Sequence, residues 1–146
     1  MPATPESAQT VAVALGFDFG SRRIGVAIGN GITGNARSLT VLATDDWPAL
    51  DELIEQWRPQ ALVVGLPLDA DGSDQAITRR ARGFMDALEQ RFGLPVTAVD
   101  ERYTTIEADE RLRAARAGGR RSRRVARGDA DAVAAQVILE NWLEQT

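Results

Sequence analysis

The chain contains no cysteine, no histidine and no lysine. Lack of cysteine removes disulfides and thiol nucleophiles. Lack of histidine as well removes Ser-His-Asp triads and ordinary structural zinc sites. Any resident metal must then be a hard cation held by oxygen, which means Mg²⁺, Mn²⁺ or Ca²⁺. No apolar run approaches the roughly 20 residues of a membrane span, so no membrane partner is expected. The first ten residues are polar, carry Pro2 and Pro5 and lack a basic stretch. They read as a disordered tail rather than an export signal. Absence of cysteine is in keeping with a cytoplasmic location.

With lysine missing, all 17 cations are arginines, each able to offer a planar fork to phosphate. The net charge of −4 argues against a nucleic-acid partner until its distribution is considered. Residues 1–110 carry 9 Arg and 17 acids, residues 111–127 carry 8 Arg and no acid, and residues 128–146 carry 4 acids and no base. A local charge of +8 beside an acidic body suggests an anion-binding strip next to a metal site. The plainer alternative is an arginine-rich, solvated loop.

At 146 residues the chain is expected to form one domain, residues 11–146. Val11–Asp18 and Ile24–Ile28 read as two strands of a hairpin, and Arg37–Ala43 as a third strand. Trp47 through about Trp57 has Leu50, Leu53, Ile54 and Trp57 at helical spacing, with Pro59 beyond its end. Ala61–Leu66 is a continuous apolar run, as in a strand covered on both faces. Asp74–Phe92 is a long helix stopped by Gly93 and Pro95. Pro95–Val99 is the fifth strand, Thr104–Arg116 a helix and Asp129–Glu144 the last helix. The segment 118–128 is expected to be mobile. The order β-β-β-α-β-α-β-α-α predicts an α/β fold: a mixed five-stranded sheet with helices on its faces. Trp57 and Trp142 are expected in the core.

Three acids fall at element ends that could converge. Asp18 ends the first strand, Glu101 follows the fifth, and Asp131 lies in the first turn of the last helix. Ligands of sheets with parallel strands collect outside the strand carboxyl ends. Each acid also has a dull explanation: Asp18 as a turn residue, Glu101 as a surface partner of Arg102, Asp129 and Asp131 as favourable charges at a helix N-terminus. Asp129 is the better N-cap. Asp131 stands above Ala134, Ala135, Ile138 and Trp142, the stripe expected to pack inward, and the small Ala132, Ala134 and Ala135 would let this turn approach the sheet. Strand spacing puts a fifth strand about 10 Å from the first if one strand intervenes. Gly20 allows tight backbone geometry near a phosphate, and Ser21, Arg22 and Arg23 supply a hydroxyl and cations. Asp69 could reach the metals or simply shape a turn. Arg80 and Arg82 could contact a substrate backbone or only solvate their helix.

In this order the motifs resemble those of the YqgF/RuvX family, related to RuvC-type Holliday junction resolvases in the RNase H-like superfamily. They are Gly16-Phe17-Asp18-Phe19-Gly20-Ser21-Arg22-Arg23-Ile24-Gly25-Val26-Ala27, Val63-Val64-Gly65-Leu66-Pro67 with Asp71-Gly72, Asp100-Glu101-Arg102 with Thr104-Thr105-Ile106-Glu107-Ala108, and Asp131 with Ala134-Ala135 and Ile138-Leu139. The resemblance runs from about Leu15 to Gln145. It implies a nuclease with Asp18, Glu101 and Asp131 as acidic metal ligands. Its alignment through Val137-Ile138-Leu139-Glu140 places the family aspartate on Asp131 rather than Asp129. The family is widely assigned to maturation of the 5′ end of 16S rRNA, and its relatives suggest four-way DNA junctions. The chain departs from the family at Asp69, where Asn is usual, and at Tyr103-Thr104, where Leu-Ser is frequent.

The expected chemistry is hydrolysis of phosphodiester bonds at a two-metal site of Mg²⁺ or Mn²⁺, held by Asp18, Glu101 and Asp131, with Asp69 and Asp129 as additional candidates. Arg23, Arg102 and the cations Arg120, Arg121, Arg123, Arg124 and Arg127 would hold phosphates. The expected partner is nucleic acid, either pre-rRNA or branched DNA. Junction resolution would call for a homodimer able to make two symmetric cuts. Two other classes stand as rivals. Asp-Phe-Gly-Ser is also similar to the phosphate loop of actin-like ATPases, but those need a second such domain. A non-catalytic RNA-binding or transcription accessory module would keep salt-sensitive binding without the three acids.

Overall fold

The computed structural model describes residues 11–67, 75–100 and 127–144, the last stretch with side chains from Asp131 onward. Eight elements follow one another: β1 (Ala14–Phe19), β2 (Arg23–Asn30), β3 (Asn35–Ala43), α1 (Trp47–Trp57), β4 (Ala61–Leu66), α2 (Ala76–Phe92), β5 (Val96–Asp100) and α3 (Arg127–Glu144). The helix expected over Thr104–Arg116 lies outside the described residues. The other elements occur in the expected order; α1 and β4 have the expected bounds and the rest are shifted by a few residues. Val11 is not part of β1, but it is buried and its carbonyl accepts a hydrogen bond from Gly31 N (3.0 Å).

The strands form one sheet in the order β3-β2-β1-β4-β5. β1, β2 and β3 pair antiparallel as a meander, whereas β1–β4 and β4–β5 are parallel. The hairpins need only short turns, while each parallel pair is reached through a crossover containing a helix. β1 is therefore central, and its apolar sequence matches burial on both faces.

Strand alternation divides the core in two. Leu15, Phe17, Phe19, Ile24, Val26, Leu62, Val64 and Leu66 point to one face and pack on Leu50 of α1 and on Ala81, Phe84 and Leu88 of α2. The opposite face is built from small residues. Its β1–β2 register pairs are Ala14 with Gly29, Gly16 with Ala27, and Asp18 with Gly25. Onto this floor α3 lays Ala135, Ile138, Leu139 and Trp142, so the inward stripe expected for the last helix is found.

The approach of α3 is closer than its alanines alone would allow. A Cβ on Gly16 would stand 2.9 Å from Leu139 Cβ, and one on Gly29 2.8 Å from Leu139 Cδ2. A Cβ on Gly25 would collide with the carbonyl oxygen of Asp131. The same end of α3 is tied sideways to β3: Ser38 Oγ donates to the Ala132 carbonyl (3.1 Å), and Ser38 N donates to Gln136 Oε1 (3.2 Å).

The helices facing the other side are set by local chemistry. Asp46 caps α1 by accepting from Ala49 N (3.2 Å), and Pro48 occupies its first turn. α2 begins at Ala76 rather than Asp74. Thr78 Oγ1 accepts from Gln75 N (2.9 Å) and donates to the Pro67 carbonyl (2.6 Å), which ties the helix start to the end of β4. Gly93 closes it with φ 65°, the left-handed conformation glycine tolerates best. Arg91 grips Asp51 with two hydrogen bonds (2.7 and 2.8 Å), joining α2 to α1 and holding the Asp51 carboxyl below the usual range.

Two glycines should therefore respond to alanine in opposite directions. Gly25→Ala forces α3 off its floor and should cost about 1–3 kcal/mol, the usual range for overpacking. Gly83, inside α2, has nothing within 4 Å of where a Cβ would stand. Gly83→Ala should raise stability by about 0.5–1 kcal/mol. Urea denaturation of the two variants measures both, and equal stabilities would contradict the packing described.

Candidate active site

The site is assembled at the end of β1 where α3 begins. Asp18 lies on the α3 face, opposite Gly25 of β2 and in register with Gly65 of β4. Asp131 rests its backbone on that same Gly25. One glycine is thus the shared neighbour of both residues, which brings the end of the first strand and the start of the last helix together.

The Asp131 carboxylate is partly covered. Its Oδ2 lies 3.1 Å from Arg23 Nε, but this is an ion pair without hydrogen-bond alignment. That oxygen is buried and receives no hydrogen bond among the described residues. A buried, charged oxygen without a donor is costly unless a cation completes its surroundings. Arg23 supplies that cation in this structure; the carboxylates of Asp18 and Asp131 are the oxygen ligands that a hard divalent ion would take.

A turn between β1 and β2 forms the rest of the wall. Gly20, Ser21, Arg22, Arg23 and Asp131 line an open pocket of about 380 Å³. Gly20 is required here for a backbone reason, since a Cβ would stand 2.6 Å from the Arg23 carbonyl oxygen. Thr44, at the end of β3, clamps the turn. Its Oγ1 donates to the Gly20 carbonyl (2.8 Å) and its N donates to the Arg22 carbonyl (3.0 Å). Sequence reasoning missed Thr44, because its role depends on β3 returning beside β2. It also missed Gly25, although the alternating small residues of β2 could have signalled it.

The remaining candidates separate clearly. Arg80 and Arg82 lie on α2, across the sheet from Asp131. Both are exposed, and Arg80 lies 5.8 Å over the Phe19 ring at the same sheet edge. β4 intervenes between β1 and β5, as the spacing argument required. β5 carries Val99 in the row of Asp18 and Gly65, and ends one residue later at Asp100. Glu101, Arg102, Asp69, Arg120, Arg121, Arg123 and Arg124 lie outside the described residues. Arg127 and Asp129 fall in the first turn of α3, where side chains are not described. Among the described residues no three acids cluster.

Trp142 is buried as expected, but Trp57 is not a core residue. It is half-buried under Arg37, whose guanidinium lies 5.5 Å from its ring. It lines a more apolar pocket of about 310 Å³ with Gly29 and Arg37, at the opposite end of β1. No acid lines that pocket, whereas Asp131 lines the polar one, which is therefore the candidate site.

A family model described as RuvX, Holliday junction resolvase, matches residues 12–145. The chain belongs to the RuvX family. Relatives named "Putative pre-16S rRNA nuclease" are 48% identical to it. One from Xanthomonas axonopodis pv. citri aligns over 88% of this chain and 85% of its own length. One from Burkholderia ambifaria covers 92% and 90%, and one from Azotobacter vinelandii 90% and 92%. Among solved structures, Thermus thermophilus RuvC in complex with a Holliday junction substrate superposes with a TM-score of 0.54 at 20% identity. It covers 86% of this chain and 90% of that one. The yeast mitochondrial Holliday junction resolvase Ydc2 gives a TM-score of 0.52 at 11% identity, covering 97% and 80%. These likenesses establish the RuvC-like, RNase H-like fold, and the family and its relatives' names are those of nucleases. No helix among the described residues of this RuvX-family chain is long and apolar enough to cross a membrane.

Thr44→Val keeps the shape of the clamp and deletes its hydroxyl, leaving the Gly20 carbonyl without its donor. Stability should fall by about 1–3 kcal/mol. The amide of residue 44 should also exchange faster as the turn loosens. Unchanged exchange by NMR would show that the clamp does not hold the turn.

Proposed function

We propose that this chain is a divalent-metal-dependent nuclease acting in maturation of the 5′ end of pre-16S rRNA. The observation that carries the reading is the seating of Asp131 on Gly25, beside Asp18, with a buried carboxylate oxygen that has the Arg23 ion pair but no hydrogen bond among the described residues. The names of relatives at 48% identity favour rRNA as the substrate.

Asp18, Glu101 and Asp131 would hold the ions, with Asp69 and Asp129 as further oxygen donors. Bound there, Mg²⁺ or Mn²⁺ would polarise the scissile phosphate and lower the pKa of an attacking water. The chain's own residues have separate tasks. Ser21 and Arg22, exposed on the turn, would donate to phosphate oxygens. Arg23 would offset charge on the Asp131 side of the pocket. Arg102, Arg120, Arg121, Arg123, Arg124 and Arg127 would extend the phosphate contacts along the strand, and Arg80 and Arg82 would extend them over α2. With no histidine in the chain, no imidazole is available as general base.

A second reading, resolution of four-way DNA junctions, is supported by the family's description and by the fold shared with RuvC. It requires a dimer with paired sites. The accessory-module reading predicts binding without cutting.

The deciding experiment uses a labelled pre-16S rRNA fragment and a labelled four-way junction, with Mg²⁺, Mn²⁺ or EDTA. Metal-dependent cutting of the RNA that falls at least about a hundredfold in Asp18→Asn is the expected result. Paired symmetric cuts in the junction alone would favour the resolvase. Binding of either substrate without cutting by the wild type would overturn the nuclease reading.

A further inference from the structure

We propose that a hollow on the α1/α2 side of the same sheet edge binds one unpaired nucleobase of the substrate, with guanine preferred. The inference rests on the reading of the chain as acting on nucleic acid. The hollow, about 260 Å³, has Phe19, Thr44, Asp45, Trp47, Arg80, Gly83 and Phe84 among its lining residues. It shares a wall with the candidate active site. Phe19 directly follows Asp18, and Thr44 holds the Gly20 carbonyl of the turn that separates the two spaces. A strand lying across this turn can place a phosphate beside Asp18 and Asp131 and a neighbouring base in the hollow.

Gly83 is the observation that points to a ligand. A glycine inside a helix costs about 0.5–1 kcal/mol relative to alanine. The backbone of Gly83 is not in the left-handed region, and among the described residues no neighbour lies within 4 Å of where a Cβ would stand. The missing side chain leaves that side of the hollow open. The groups around it match a nucleotide. The half-buried Trp47, whose ring lies 5.8 Å from that of the buried Phe84, gives an apolar wall for a planar base. Arg80, over the Phe19 ring, sets a cation at the rim for the phosphate. The exposed Asp45 offers two acceptor oxygens. An unpaired guanine presents two adjacent donors, N1–H and N2–H₂, on its Watson–Crick edge, which suit a carboxylate better than the single donor of uracil.

The test measures binding, so it does not depend on turnover. Asp18→Asn protein, with and without Gly83→Leu, is titrated by fluorescence anisotropy against single-stranded RNAs that carry an abasic site at each position in turn. In the Gly83 protein one position should weaken binding about tenfold when its base is removed, a loss typical of a stacked base. Gly83→Leu should abolish that dependence while melting no lower than its parent, because leucine favours the helix. At the same position, guanine should bind more tightly than uracil, and Asp45→Asn should erase the difference. No sensitive position, or the same sensitivity in both proteins, overturns the subsite. If wild type nonetheless cuts RNA, the nuclease reading stands without it. A sensitive position that Gly83→Leu removes, in a chain that never cuts, supports the subsite and overturns the nuclease reading alone.

Discussion

Everything at the candidate site depends on one missing side chain, that of Gly25. β2 can present this residue opposite Asp18 and still let the backbone of Asp131 settle on it. Any larger residue would hold the start of α3 away from the sheet, and the last helix could not deliver its acid to the first strand. Gly16 and Gly29 extend the same condition along the helix, and Ser38 with Gln136 fixes its sideways position. The nearness of two acids remote in sequence is thus a packing result. It does not rely on attraction between them, since like charges in close proximity repel.

The two faces of the sheet divide the work. The α1/α2 face carries the large side chains, Phe17, Leu62, Ile24 and Leu88 among them, and supplies most of the apolar burial that holds the sheet. The α3 face gives up side-chain bulk for proximity. Glycine and alanine there bury less area, but they bring a helix backbone against a strand. A buried carboxylate oxygen with the Arg23 ion pair but no hydrogen bond among the described residues is tolerable at the edge of such a face because the rest of the fold is stabilised elsewhere.

Much of the architecture was legible because local chemistry marks it. Pro48 and Pro59 bracket α1, the apolar run of Ala61–Leu66 is β4 to the residue, and Gly93 ends α2. Asp18 stood out as an acid ending a strand too apolar to lie at an edge. The start of α2 was misplaced because Thr78 finds its acceptor on Pro67, a contact eleven residues away that no propensity reports. Trp57 shares the helical spacing of Leu50, yet it lies in the last turn of α1, half-buried beside Gly29 and Arg37 rather than enclosed in the core. The glycine floor was invisible for a different reason. A glycine's meaning lies in what passes over it, and α3 is more than a hundred residues further along the chain. Glu101 falls just past the end of β5 and outside the described residues, so for the third acid the resemblance and the strand order are the only guides.

The central claim is that the seating of α3 on Gly25 builds a cation site from Asp18 and Asp131. The most direct measurement is an anomalous difference map from crystals grown with Mn²⁺. The account predicts a peak within about 2.0–2.6 Å of carboxylate oxygens from both residues. Well-ordered Asp18 and Asp131 side chains with no peak between them, or Mn²⁺ bound only elsewhere, would contradict it.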